Sequence, residues 1–298
     1  MKKMESNQEA HWQPRRVPCG ICRSKRFRVL GYRGGRAHHS GKGITSRVVK
    51  CRDCGFIYPN PMPFPRDLSH YADADVYFRA HDVQGKIDYA RKLLQEATEI
   101  LDGQKGKLLD IGCGRGESLV AARDLGWQAE GVEPSEDFVA YGRENFEVEV
   151  HQGLIENINY PDASFDVVFL SAVLEHVYNP LELLIECRRL LRPGGLLFLD
   201  VPNEAGLFFT MGRLYHRLRG RAWTLNLSPT FEPYHVAGFS PHTLDVAFEK
   251  TQFEVVTLRT YGAKLASPSK LMALARGVEK ISRLTHSGSF LEAWARAV

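Results

Sequence analysis

The sequence predicts an α/β fold: a mainly parallel sheet covered by helices on both faces, preceded by a small ribbon built on cysteines. Three observations carry this. Short apolar runs alternate with amphipathic helical stretches from residue 107 onward. The first of these runs, in "LLDIGCGRGE" (108–117), leads straight into three glycines at alternate positions. Two Cys-x-x-Cys pairs, Cys19/Cys22 and Cys51/Cys54, stand near the start of the chain.

The 298 residues allow one large domain and a small one. Mean hydropathy of −0.28 and 44% hydrophobic residues fit a soluble chain with a sizeable core. The most apolar stretches, such as "GGLLFLDV" (194–201), are too short to span a bilayer. "MKKMESNQEAHWQPRR" lacks the apolar centre of a secretory signal, so a cytoplasmic location with free thiols is expected. Residues 1–50 carry 13 Lys/Arg against 2 Asp/Glu, and the remaining residues carry 26 against 33. The basic start is either a solvated arm or an attractor for an anionic partner: nucleic acid, a sugar nucleotide, a charged glycan or a membrane surface.

In chain order, residues 1–16 read as a flexible basic arm and 17–60 as the ribbon. "YPNPMPFPRD" (58–67) is dense in proline and marks a boundary. Residues 61–103 read as a helical lead-in, with Ile87, Ala90, Leu93, Leu94, Ala97 and Leu101 on one helix face. Residues 104–262 carry the alternation. Its strands are expected at 107–112, 128–134, 146–153, 165–172 and 196–203, and its helices at 117–126, 136–145 and 180–195. Residues 263–298 read as an amphipathic, basic helical tail that docks, dimerises or touches lipid.

A Cys-x-x-Cys gap lets both thiolates of a turn face one metal, and two such turns supply the four sulfurs of a structural zinc site. The stretch from Cys22 to Cys51 is longer than usual, so the ribbon needs an extended hairpin, with "RGGRAHHSGKG" (33–43) as its loop. Neither pair opens a helix within a βαβ unit, which argues against a redox role. Cys113 and Cys187 fall in apolar patterns as small core residues.

A strand, a glycine-rich turn and a helix make a nucleotide-type site, where missing side chains let a ligand lie on the backbone. The second strand ends in "EGVEPS", which places Glu133 one helix and one strand after Gly112, where a carboxylate can accept from ribose hydroxyls. The turn is GxGxG (Gly112, Gly114, Gly116), and Glu117 stands where a dinucleotide site wants its third glycine. A carboxylate there suits a nucleoside without phosphates.

These segments resemble the class I S-adenosylmethionine-dependent methyltransferases. "LLDIGCGRGE", "GVEPS", "FDVVFLSAVLEHVYNPLELLIECRRLLRPGGLLFLDVPN" and "FSPHTL" fall in that family's order and spacing over residues 105–260. The ribbon "CRDCGFIYPNPMP" with its tyrosine-bearing lead-in is similar to a branch acting on sugars, glycans and small metabolites. The resemblance implies a Rossmann-like seven-stranded sheet whose last strand is antiparallel. It implies S-adenosylmethionine as cofactor beside structural Zn2+. Asp110 and the turn Gly112, Cys113, Gly114 and Gly116 would hold its methionine end. Glu133 would take the ribose, and Pro134, Leu154 and Ile155 would flank the adenine. Ser171, Ala172 and Leu174 would close the pocket, with Tyr77 or Tyr71 capping it. Leu154 departs from the acidic residue that many relatives carry there.

Methyl transfer needs a base only where the acceptor must lose a proton. His176 in "LEHV" and His235 in "FEPYHVAGFS" are the catalytic candidates, with Glu232 placed to orient His235. Local hydrogen bonding is the alternative role for His176, and helix capping for His242. Residues 204–243 would cover the acceptor site. Within them Arg213, Arg217, Arg219 and Arg221 form either a solvated face or a contact to an anionic acceptor or a membrane surface. The expected function is methyl transfer to an oxygen or carbon of a small-molecule or sugar-containing acceptor. The alternatives are an RNA methyltransferase, against which "LSAVLEHV" speaks because it lacks the Asn/Asp-Pro-Pro-Tyr-like signature of exocyclic nitrogen methylation, and an inactive cofactor-binding adaptor.

Overall fold

The structure, a computed structural model, describes residues 12–37, 43–66, 82–228, 234–262, 281 and 287–298. Tyr71, Tyr77 and Glu232 lie outside the described residues.

The N-terminal part builds five short strands: β1 (Trp12–Arg15), β2 (Phe27–Arg33), β3 (Ser46–Cys51), β4 (Ile57–Pro59) and β5 (Met62–Pro65). β2, β3 and β4 form an antiparallel sheet, while β1 pairs antiparallel with β5. Trp12–Arg15, expected in a loose arm, is therefore a strand. Trp12 is buried against the Tyr234 ring, 5.7 Å between centroids, which gives the segment an apolar anchor.

Helix α1 (Val83–Ile100) follows, and Ile87, Ala90, Leu93, Leu94 and Ala97 line its buried face as the periodicity predicts. The alternation then runs β6 (Lys107–Ile111), α2 (Glu117–Asp124), β7 (Gln128–Glu133), α3 (Glu136–Tyr141), β8 (Val150–Gln152), β9 (Phe165–Ser171), α4 (Pro180–Leu190), β10 (Leu191–Pro202), α5 (Leu207–Leu218), α6 (Pro241–Lys250), β11 (Phe253–Tyr261) and β12 (Phe290–Ala297). Seven strands form one sheet in the order β11-β12-β10-β9-β6-β7-β8. β12 runs antiparallel to both its neighbours, and the described pairings among β6 to β10 are parallel.

Boundaries differ where local geometry intervenes. β8 starts later than expected, because a wide helical turn extends α3 through Phe146 and Glu147 adopts φ +53°. α4 stops at Leu190, not at Gly195. Pro193 disfavours helical geometry in the residue before it, and Arg192–Gly195 becomes an irregular start to β10. Ser240, not His242, caps α6, accepting from the Thr243 N–H at 3.2 Å.

The larger difference is at the C-terminus. Phe290–Ala297, expected in a helical tail, is an interior strand between β10 and β11. Trp294 is fully buried there, packed on Phe198 and Phe169 at centroid distances of 5.0 and 5.8 Å. The α/β domain thus reaches beyond residue 262 to the chain's last strand.

The ribbon is not a separate body. Its Ile21, Val49, Phe56, Tyr58 and Met62 share one buried cluster with Leu109, Val168 and Leu170 of the sheet and Phe239 and Phe248 beyond it. Ile57 and Gly238 exchange backbone hydrogen bonds at 3.0 and 2.7 Å, and Phe56 meets Phe239 edge to face at 5.4 Å. Among the described residues no helix is long and apolar enough to cross a membrane.

Truncating Trp294 to Ala removes the largest side chain of the interior strand. The expected loss is about 3 to 5 kcal/mol in urea unfolding; a loss below about 1 kcal/mol would contradict an interior β12.

Candidate active site

β6 and β7 end side by side, with Ile111 opposite Val132. The chain leaves β6 through Gly112, Gly114 and Gly116, whose φ angles of +73°, +56° and +90° curl it into α2. At Gly112 a Cβ would stand 2.6 Å from Val173 Cγ2, so a side chain is excluded by space as well as by φ. The Gly114 N–H donates to Glu133 Oε2 and the Ser135 N–H to Glu133 Oε1, both at 2.9 Å. Glu133 is buried, and burial raises its pKa while the two amides act in the opposite sense.

Asp110 is buried at the end of β6. Its Oδ2 accepts from the Ser118 hydroxyl, and its Oδ1 has no hydrogen-bond partner among the described residues. Burial pushes its pKa up to about 7. An orphaned carboxylate oxygen in the electrostatic neighbourhood of Glu133, beneath a bare turn, fits a ligand that brings donors or positive charge.

The other expected cofactor residues fall around this turn. The Gly153 N–H donates to Glu133 O at 3.0 Å, which sets Leu154 and Ile155 beyond the end of β7 near Pro134. Pro134 and Leu154 are half-buried, while the Ile155 side chain lies in the core. Cys113 is packed against Gly131, where a Cβ would meet its sulfur at 2.5 Å, so its thiol faces the interior. Ser171 ends β9, and Ala172 adopts φ +52° with its N–H on Asp200 Oδ1 at 3.1 Å. Leu174 is wholly buried in the core, which leaves its backbone as the part able to face a ligand. Glu117 is turned inward onto Arg115, whose Nε donates to it at 2.8 Å.

The two histidine candidates come together from distant parts of the sequence. The His176 and His235 rings meet edge to face at 4.8 Å, and Glu175 joins them with all ligand atoms within 4.8 Å of one another. Glu175 is buried, and burial holds its pKa well above the ordinary carboxyl value. Its own backbone N–H acts the other way, and the fields of Asp200 and Glu204 add to the rise. The His235 pKa is well below the ordinary value through burial and the neighbouring His176 and Arg33. Glu175 is thus the described carboxylate beside His235.

The four cysteines also converge. Cys19 and Cys54 sulfurs are 3.4 Å apart, Cys22 and Cys51 sulfurs 3.5 Å, and all four lie within 4.8 Å of one another. Tetrahedral sulfurs at zinc–sulfur bonds of about 2.3 Å stand about 3.8 Å apart, so this donor set fits Zn2+. A third group, Glu130, Glu149 and His151, is largely solvated, with His151 2.9 Å from Glu130.

Pattern reading missed a polar network behind the histidines. Arg33, buried in β2, donates to the carbonyls of Leu227 and Ser228 at 2.6 and 3.1 Å. Glu204 is fully buried, accepts from Asn226 Nδ2 at 2.6 Å and the Leu227 N–H at 3.0 Å, and has its pKa raised to about 7 by burial. Partners as far apart in the chain as Arg33 and Leu227 leave no local signal in a single sequence.

Comparison with known proteins agrees with this geometry. A family model described as a methyltransferase domain matches residues 79–258, more than half of the chain. The chain belongs to the methyltransferase domain family. "27-O-demethylrifamycin SV methyltransferase" of Amycolatopsis mediterranei is 30% identical over 218 residues, covering 65% of this chain and 79% of that protein. A Mycolicibacterium smegmatis protein described as a "Probable S-adenosylmethionine-dependent methyltransferase" is 26% identical over 196 residues, 65% of this chain and 66% of that one. "Ubiquinone biosynthesis O-methyltransferase" of Maricaulis maris is 31% identical over 129 residues, 41% of this chain. The chain spans about half the length of this last relative, 49%. The fold is similar to that of a SAM-dependent methyltransferase from Archaeoglobus fulgidus, with a TM-score of 0.51 at 21% identity over 74% of this chain and 99% of that one. The α/β part is therefore a class I S-adenosylmethionine-dependent methyltransferase domain.

Asp110 and Glu204 both hold protons in the folded state that the unfolded chain has released between about pH 4 and pH 7. The contribution of these two groups to the stability of the ligand-free protein is therefore greatest below this window. It is expected to fall as pH rises through it, by up to about 1.4 kcal/mol per pH unit for each group. Urea unfolding of Asp110→Asn between pH 5 and 7 should show a clearly shallower slope than the parent; an identical slope would contradict the assignment.

Proposed function

We propose that the protein is a methyltransferase that uses S-adenosylmethionine to methylate an oxygen or carbon of a small-molecule or sugar-containing acceptor. The observation that carries this reading is the Glu133 carboxylate, held by the Gly114 and Ser135 amides beside the Asp110 Oδ1, which has no partner among the described residues. Gly112, Gly114, Gly116 and Asp110 would hold the amino-acid end of the cofactor, Glu133 the ribose, and Pro134, Leu154 and Ile155 the adenine. Ser171, Ala172 and Leu174 would close the pocket. Bound S-adenosylmethionine supplies the methyl group on a positively charged sulfur that leaves as a neutral sulfide.

His235 is the proton acceptor in this reading. The lowered pKa keeps its imidazole neutral near pH 7, with a lone pair free to accept. A weakly basic imidazole is sufficient, because an acceptor hydroxyl becomes acidic as its oxygen bonds to the methyl carbon. Glu175, kept protonated by burial, adds no charge beside the pair, and His176 packs edge to face on the His235 ring. An oxygen acceptor fits this chemistry and the O-methyltransferase named among the relatives. The cysteine cluster would hold one structural Zn2+ per chain, clamping β2 and β3 to the sheet's core.

Transfer of labelled methyl groups into a panel of hydroxylated small molecules and sugar conjugates tests the reading. His235→Gln should lower kcat by about 10² to 10⁴ with little change in the KM for S-adenosylmethionine, the range expected for a general base. Equal activity of the variant would remove His235 from the mechanism, and no transfer to any acceptor would contradict the enzyme. Metal analysis of the purified chain should find one zinc, lost in Cys51→Ser together with several degrees of thermal stability; a full-stability, zinc-free parent would contradict the metal.

A further inference from the structure

Between the ribbon and the segment following β10 lies a cleft of about 210 Å³. The ribbon contributes Arg28 from β2 and Lys50 from β3, and the far wall contributes Glu204, with Thr210 and Arg213 from α5. Three cations therefore face one volume. The single carboxylate there, Glu204, accepts from Asn226 and Leu227 and forms no ion pair with them, so its field offsets only part of the repulsion, at Arg213. Among the described residues no carboxylate stands within ion-pair distance of Arg28, Lys50 or Arg213. The three also repel one another: Lys50 is destabilised as a cation by burial and by Arg28 and Arg213, and Arg213 by burial and Arg28, with Glu204 acting in the opposite sense.

Like charges gathered around a half-buried volume cost free energy unless an anion enters. Arg213 is also pre-oriented, its two terminal nitrogens donating to Asn226 Oδ1 at 2.9 Å and Thr210 Oγ1 at 3.4 Å. The cleft is smaller than the roughly 300 to 1,000 Å³ of a pocket that takes a whole small molecule. Its size suits an anionic group that is part of a larger ligand.

A short piece of backbone links the cleft wall to the histidine cluster. The Ala237 N–H donates to Glu175 O at 3.0 Å, and the Glu204 N–H donates to Phe239 O at 2.8 Å. The short step from Ala237 to Phe239 thus separates the backbone of the histidine cluster from the cleft wall, about 7 Å at the extended rise per residue.

We propose that this cleft binds the phosphate or diphosphate group of the acceptor, with Arg28, Lys50 and Arg213 as its ligands. Naming the ligand an acceptor rests on the function proposed above; binding of the anion does not. Arg and Lys are suited to this task, the guanidinium by its paired donors and the ammonium as a compact charge.

Calorimetric titration of the full chain with inorganic pyrophosphate at low salt is the test, run beside S-adenosylhomocysteine. One equivalent of pyrophosphate should bind, and Lys50→Gln, Arg213→Gln and Arg28→Gln should each weaken it at least tenfold. Lys92→Gln, on the exposed face of α1, should leave it unchanged. Arg28 is exposed and its side chain makes no hydrogen bond or ion pair with a described residue, so its variant keeps the test independent of folding. Absence of pyrophosphate binding by the parent chain, or equal binding by the three cleft variants, would overturn the proposal. So would tight binding of a single-stranded oligoribonucleotide that these variants weaken while pyrophosphate fails to bind, which would assign the cations to RNA. Loss of S-adenosylhomocysteine binding with pyrophosphate binding intact would refute the methyltransferase reading and leave the anion site standing.

Discussion

The Glu133 carboxylate accepts from two amides that belong to different strand ends, Gly114 after β6 and Ser135 after β7. This one group ties the glycine turn to the neighbouring strand and fixes the floor of the proposed cofactor site. Its cost is that of a buried carboxylate, offset by two charge-assisted hydrogen bonds. The turn can meet it only because Gly112, Gly114 and Gly116 adopt left-handed backbone. Fixed there, Glu133 and the Asp110 oxygen left without a partner among the described residues put two acceptors where, in the proposed reading, a nucleoside and an ammonium group would bring donors.

The ribbon is bound into the same core, and this decides what it does. Its cysteines pin β2 and β3, Phe56 packs on Phe239, and Ile57 pairs with Gly238, just beyond His235. Arg33 then crosses from β2 to the carbonyls of Leu227 and Ser228. A metal held by these cysteines, as proposed above, would therefore position both the histidine-bearing segment and the cationic cleft. In the proposed reading, Arg28 and Lys50 of the basic N-terminal part would hold charge at the mouth of the acceptor site.

Much of this was legible in the sequence. The glycine turn, Glu133 and the alternation from β6 to β10 have fixed spacings and few physical alternatives, so the parallel sheet and the glycine-turn floor follow from pattern. The convergence of four cysteines followed from their paired spacing in the same way. β12 did not: "FLEAWARA" is rich in helix formers, and its strand state comes from the hydrogen bonds and burial that β10 and β11 provide on either side. Sequence proximity offers Glu232 as the partner of His235, whereas the described carboxylate beside it is Glu175, brought there by the fold. Arg33, Glu204 and the cleft cations lie on separate elements and share no period, so only the structure joins them.

The measurement that tests the central claim most directly is equilibrium binding of S-adenosylhomocysteine to the purified chain, parent and Glu133→Ala side by side. The account predicts one site with micromolar affinity, weakened at least tenfold by the substitution, in a variant that still unfolds cooperatively. Equal binding by the two proteins would place the cofactor elsewhere, and no binding by a folded parent would contradict the claim that this turn is a cofactor site.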